Sequence, residues 1–124
     1  MTVRAIRGAT QLDSDDQEHL LDRTRELIEA VVARNGLVVD DFISIFFTAT
    51  SDLHSGFPAV AARQIGFAEV PLMCARELEI DGSLPRAIRL MAHVESDTPK
   101  SAIQHVYLHG AAALRPDLAT RGDD

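Results

Sequence analysis

At 124 residues, 46% hydrophobic and 25% charged, with a formal net charge of −7, the chain has the size of one compact domain that buries about two thirds of its unfolded surface. No apolar run approaches the roughly eighteen residues of a membrane span, and "MTVRAIRGAT" lacks the basic head and apolar stretch of a signal peptide, so the expectation is a cytoplasmic protein without membrane contact. The single cysteine, Cys74, excludes an internal disulfide, and the lack of a basic stripe excludes a surface that tracks nucleic acid.

Residues 2 to 8 read as a first strand, with Val3 and Ala5 on one face and Arg4 and Ile6 on the other. "SDDQ" then has the form of a capping box, Ser14 with Gln17, and opens a helix. Leu20, Leu21, Thr24, Leu27, Ile28, Val31 and Val32 recur along it at helical spacing until "NG" at 35 to 36. Nine acids lie between Asp13 and Asp41 against Arg23, Arg25 and Arg34, and the plain reading of that charge is a solvated helix face. "DFISIFFTAT", 41 to 50, is apolar on both faces and predicts a buried central strand. Pro58 starts a short helix that runs to about Ile65 and stops at Gly66.

"AEVPLMC" reads as a third strand ending at Cys74, and "EIDGSLP" as an irregular connection. In "RAIRLMAHVE" the alternation puts Ile88, Leu90, Ala92 and Val94 on one face and Arg89, Met91 and His93 on the other, a fourth strand. "TPKSAIQ" predicts one short helix and "HVYLH" a fifth strand, whereas "GAAALRPDL" fits neither pattern. With no repeat or linker, the order of elements predicts a single α+β domain over residues 1 to 118 with a mixed sheet flanked by helices, followed by a polar tail, 119 to 124.

Arg89 stands mid-strand among apolar neighbours, and a guanidinium that cannot lose its proton must find an anion or stay wet. Glu77, Glu79 or an exposed sheet face would satisfy it, and so would a bound carboxylate; Arg7 faces the same choice. Arg63 and Arg115 are further cations that could join such a site. Cys74 is either core packing or a thiol at a turn, and the Tyr107 hydroxyl needs a partner if buried. His105 and His109 are four apart but without the glutamate of a metal helix, and no phosphate-binding glycine loop is present. These residues by themselves support a small α+β domain with a possible carboxylate ligand.

"RAIRGAT", "TATSDLHSGFPAVAAR", "VPLMCAREL", "AIRLMAHV", "HVYL" and "LRPDL", in this order from about residue 3 to 118, resemble the AroH-type chorismate mutase family. The resemblance implies a homotrimer, a pseudo-α/β-barrel assembly, with active sites between subunits. It implies conversion of chorismate to prephenate by a Claisen rearrangement, in phenylalanine and tyrosine biosynthesis, with no cofactor and no metal. Carried onto this chain, it makes Arg89 the donor to the ether oxygen and Arg7 the partner of a carboxylate. Glu77 and Cys74 bond the ring hydroxyl side, and Tyr107 assists at a carboxylate. Phe57, Ala59 and Met73 line the cleft, Arg63 and Arg115 add positive potential, and Leu114 covers it.

By the same resemblance, residues 57 to 77 and the Arg7, Arg89, Tyr107 set come from different chains. Val60 and Met73 stand where the family commonly has lysine and threonine. The competing expectations are a trimeric binding protein without catalysis, a small trimeric deaminase, and an acidic interaction module built on the 14 to 35 helix.

Overall fold

The computed structural model describes residues 2–114. Five strands form one sheet: β1 (Val3–Gln11), β2 (Phe42–Ala49), β3 (Leu72–Arg76), β4 (Ala87–Glu95) and β5 (Val106–Tyr107), in the order β3-β2-β4-β1-β5. β4 is antiparallel to both β1 and β2, while β3 runs parallel to β2 and β5 parallel to β1, so the sheet is mixed as expected. Two α-helices, α1 (Gln17–Arg34) and α2 (Pro58–Gln64), pack on one face of it.

The alternation along β4 puts Leu90, Ala92 and Val94 into the core with Ile6 of β1, Ile45 and Phe47 of β2, and Leu27, Ile28 and Val31 of α1. Gly8 lets α1 lie close: a Cβ there would sit 3.2 Å from Leu27 Cδ1 and 3.3 Å from Leu90 Cγ. Phe47 is fully buried at the centre of this layer. Replacing it by alanine should cost about 3–5 kcal/mol, read as a lower denaturant midpoint; a loss under about 1 kcal/mol would show that the layer repacks around the gap.

Several expectations shift. β1 continues three residues past Gly8, because Ala9, Thr10 and Gln11 keep pairing with Arg89, Ile88 and Ala87. The helix cap is Asp16, whose carboxylate accepts from the His19 amide, and not Ser14. β3 starts at Leu72 rather than Ala68, since residues 68–70 form a turn that delivers Pro71 to the sheet. β5 keeps only Val106 and Tyr107, and residues His109–Leu114, ambiguous in the sequence, form a 3-10 helix. "TPKSAIQ" supplies a 3-10 turn, Lys100–Ala102.

The largest correction concerns β2. It lies second from the edge, not at the centre, and only its helix-side residues are enclosed within the chain. On the other face Phe46 is 45% exposed, and next to it Met73 of β3 is 58% exposed. Local apolarity cannot distinguish a strand covered by its own chain from one that leaves an apolar face for something else.

Candidate active site

The candidate side chains divide by sheet face. Opposed residues of paired strands share a face, so the register puts Arg7, Ala9, Met91, Arg89, Phe46 and Thr48 on the face away from the helices. Met73 and Ala75 of β3 continue that face, and Glu77 follows two residues later. The Glu77 amide donates to the Ala49 carbonyl at 3.0 Å, extending the β2–β3 ladder and fixing the backbone from which its carboxylate reaches back.

Arg7, Phe46, Thr48, Glu77 and Arg89 line one pocket of about 190 Å³. Arg89 Nε stands 3.7 Å from Glu77 Oε2, close enough for charge attraction and too far for a hydrogen bond. That Nε is buried and has no hydrogen-bond partner among the described residues. The side chain as a whole is 35% exposed, so its solvent contact comes from atoms other than Nε. Glu77 Oε2 accepts instead from the Thr48 hydroxyl. Arg7 is set by its own backbone, whose amide donates to His105 Nδ1 at 3.0 Å, and among the described residues nothing bonds its guanidinium.

Cys74 lies elsewhere. It pairs with Phe47, faces the helices and packs against the core. Its cleft, about 230 Å³, is shared with Phe57, Pro58, Gly56 and Thr50. Phe57 caps α2 and is 68% exposed, presented by a loop fastened to the start of α1: Asp15 accepts from the His54 and Ser55 amides at 2.9 and 3.0 Å. Hydrogen bonding from Ser55 first, then from the His54 amide, with the His54 charge, holds the Asp15 carboxyl below the usual carboxylate range.

Arg63 is exposed on the last turn of α2, and Ala59 is buried under that helix, so Ala59 shapes the cleft only through backbone placement. Tyr107 shares the Arg89 face two strands away, about 10 Å at the usual strand spacing, and sits under Ala111 and Leu114. Its hydroxyl is buried and has no partner among the described residues. Arg115 lies outside the described residues.

Within one chain the expected site is therefore in two parts. Arg7, Arg89 and Glu77 come together, and Phe57 and Cys74 come together on the opposite face. The resemblance grouped Glu77 with residues 57 to 77; within this chain, strand alternation returns Glu77 to the Arg89 face. Thr48, read in the sequence only as part of an apolar strand, joins the site. Its signal was one of two hydroxyls in "FISIFFTA", Ser44 being the other, and becomes visible only once the register sets it beside Arg89.

The sequence profile of the chorismate mutase type I family matches residues 3–118. The chain belongs to this family. Two relatives, both named chorismate mutase AroH, cover nearly all of this chorismate mutase. The protein from Thermus thermophilus is 48% identical over 117 residues, 94% of this chain and 96% of its own. That from Bacillus subtilis (strain 168) is 40% identical over 120 residues, 96% of this chain and 94% of its own.

Among solved structures, a chorismate mutase from Clostridium thermocellum matches with a TM-score of 0.87 at 44% identity, covering 89% of this chain and 98% of that one. The mixed sheet with helices on one face is thus a chorismate mutase fold, and the activity of the chain is that of a chorismate mutase. Among the described residues no helix is long and apolar enough to cross a membrane.

Proposed function

We propose that the chain turns chorismate into prephenate, for aromatic amino acid synthesis, in clefts where the Arg7, Arg89, Glu77 pocket of one subunit meets the Phe57, Cys74 cleft of the next. The observation that carries the reading is the Arg89 guanidinium: among the described residues its buried Nε has no hydrogen-bond partner, and nothing bonds the guanidinium of Arg7 in the same pocket.

The rearrangement breaks the ring ether C–O bond as a C–C bond forms from the side-chain methylene to the ring. No proton moves and no covalent adduct arises. Negative charge grows on the departing oxygen in the transition state, so a donor aimed there stabilises the transition state more than the substrate. The Arg89 guanidinium, part of a side chain still one-third exposed in the pocket, is such a donor. Part of its desolvation is already met by folding, and it cannot titrate away. Arg7 takes a substrate carboxylate, and Glu77 both keeps Arg89 in place and accepts from the ring hydroxyl. Tyr107, whose hydroxyl has no partner among the described residues, serves a carboxylate, and holding both ends of a flexible substrate supplies the orientational part of the barrier reduction.

What supports a shared cleft is incompleteness. Each pocket, at about 190 and 230 Å³, falls short of the roughly 300 Å³ at which small-molecule sites begin. The two open on opposite faces of the sheet, so one chain cannot join them. The exposed Phe46 and Met73 beside Arg89 supply an apolar face for a neighbour, and a closed homotrimer would cover it three times over. In that arrangement Met73, Arg63, Leu114 and Arg115 border the substrate. The proposed location is the cytoplasm, a reducing compartment that suits a lone thiol.

The test is loss of the chorismate diene absorbance with prephenate confirmed by chromatography. Turnover is expected from the native protein. Cys74→Ser should stay within about tenfold of it, because a hydroxyl can still hydrogen-bond. Chorismate bound tightly without turnover would replace the reading by a binding protein. Complete inactivation of a folded Cys74→Ser variant would bring the thiol into the chemistry.

A further inference from the structure

We infer that Thr48 is a positioning residue for the rearrangement: its hydroxyl holds the Glu77 carboxylate back from Arg89 Nε and so leaves the charge of the guanidinium uncompensated for the substrate oxygen. The inference rests on the role of Arg89 proposed above. Thr48 faces Arg89 on one side and Ala75 on the other, at the point where Glu77 reaches back over the sheet.

The oxygen that accepts from Thr48 Oγ1 is Glu77 Oε2, the same atom that stands 3.7 Å from Arg89 Nε. A carboxylate and a guanidinium this close, both partly shielded from water, ordinarily close to about 2.7–2.9 Å and bond. Here the closure has not happened, and Nε stays buried and has no hydrogen-bond partner among the described residues. Without Thr48, the attraction would draw Oε2 onto Nε, and the closed ion pair would offset the positive charge that the substrate oxygen meets at the rest of the guanidinium.

Threonine suits this task better than serine or asparagine on conformational grounds. Its β-branch fits a strand and restricts χ1, so the hydroxyl is already directed. Its single proton goes to Glu77, which leaves no second donor to compete for the ether oxygen.

The experiment compares Thr48→Val, which keeps shape and strand preference but removes the donor, with Thr48→Ser, which keeps the donor. Thr48→Val is expected to lower kcat/KM for chorismate on the order of tenfold or more, mainly through kcat, the size expected for losing a hydrogen bond to a charged group. Thr48→Ser should remain within about threefold, with the thermal midpoints of both close to the parent.

In a Glu77→Gln background, adding Thr48→Val should change activity less than about twofold, since a residue acting through Glu77 has no further effect once that carboxylate is gone. A crystal structure of Thr48→Val should have Glu77 within hydrogen-bond distance of Arg89 Nε. Activity of Thr48→Val within twofold of the parent overturns the inference, and so does an undiminished effect in the Glu77→Gln background. Failure of the underlying reading is separately visible, as a native protein without turnover or an active Arg89→Ala.

Discussion

Arg89→Ala lowers kcat/KM for chorismate by at least about a hundredfold while the chain stays folded, the expected scale for removing one donor aimed at a developing oxyanion. Arg89 lies at the centre of the sheet, on β4, yet its guanidinium is not a core contact: Ile88 and Leu90 on either side carry the packing, and Arg89 points to the opposite face. Truncation should therefore leave the thermal midpoint near that of the parent. The loss should appear mainly in kcat, because the interaction strengthens as the C–O bond breaks. Arg89→Lys should rescue little, since an ammonium is a point charge and does not reproduce the planar, directed donors of a guanidinium. Activity of Arg89→Ala within tenfold of the parent would remove Arg89 from the chemistry and shift the search for the charge-stabilising group to Arg7.

Two inactive variants restore each other when they share an assembly. Arg89→Ala disables the pocket on one sheet face, and Phe57→Asp disables the other by setting a carboxylate in the cleft of an anionic substrate. Phe57 is 68% exposed, so the change is not expected to disturb the core. If each site takes one face from each of two subunits, random co-assembly makes about one quarter of the sites intact, from components that are each nearly inactive. Co-expression with two affinity tags, purification of the mixed species and the diene assay measure this directly. Because the two-tag step removes both parental trimers and every mixed trimer holds one intact site in three, recovery near a third of parental activity is the expected result. No recovery from a confirmed mixed trimer would place the whole site within one chain, and a monomeric native protein on light scattering would remove the shared cleft altogether.

Much of this was legible in the sequence wherever a local rule governs. The 3.6-residue spacing of Leu20, Thr24, Leu27, Ile28 and Val31 marks α1, Pro58 marks the start of α2, and strict alternation from Ile88 to Val94 sets which face of β4 is buried. It also singled out Arg89 as a cation on a strand that needs an anion. The end of β1 was misread because Gly-Ala-Thr resembles a terminator, whereas pairing with β4 carries the strand on to Gln11. Ser14 lost the cap to Asp16 because two further acids compete for that helix start, one of which, Asp15, is committed to the 54–55 loop.

Other features depend on distance in space. "DFISIFFTAT" carries the same apolar letters whether its second face meets its own chain or another subunit, so neither the strand's place in the sheet nor the exposure of Phe46 could be read from it. Glu77 is three residues from Cys74 in sequence, and strand alternation with the register of β2, β3 and β4 sends the two to opposite faces. The 3.7 Å gap between Arg89 and Glu77, and the Thr48 hydroxyl that occupies the carboxylate, arise from three strands meeting. Sequence by itself determined which residues can bear charge, which positions repeat and which family's blocks are present, because those are properties of composition and spacing along the chain. Only the tertiary structure decided which of those charges stand together and which donor is left unpaired, because side chains on different strands are brought face to face by hydrogen-bond register, and no local rule of sequence contains it.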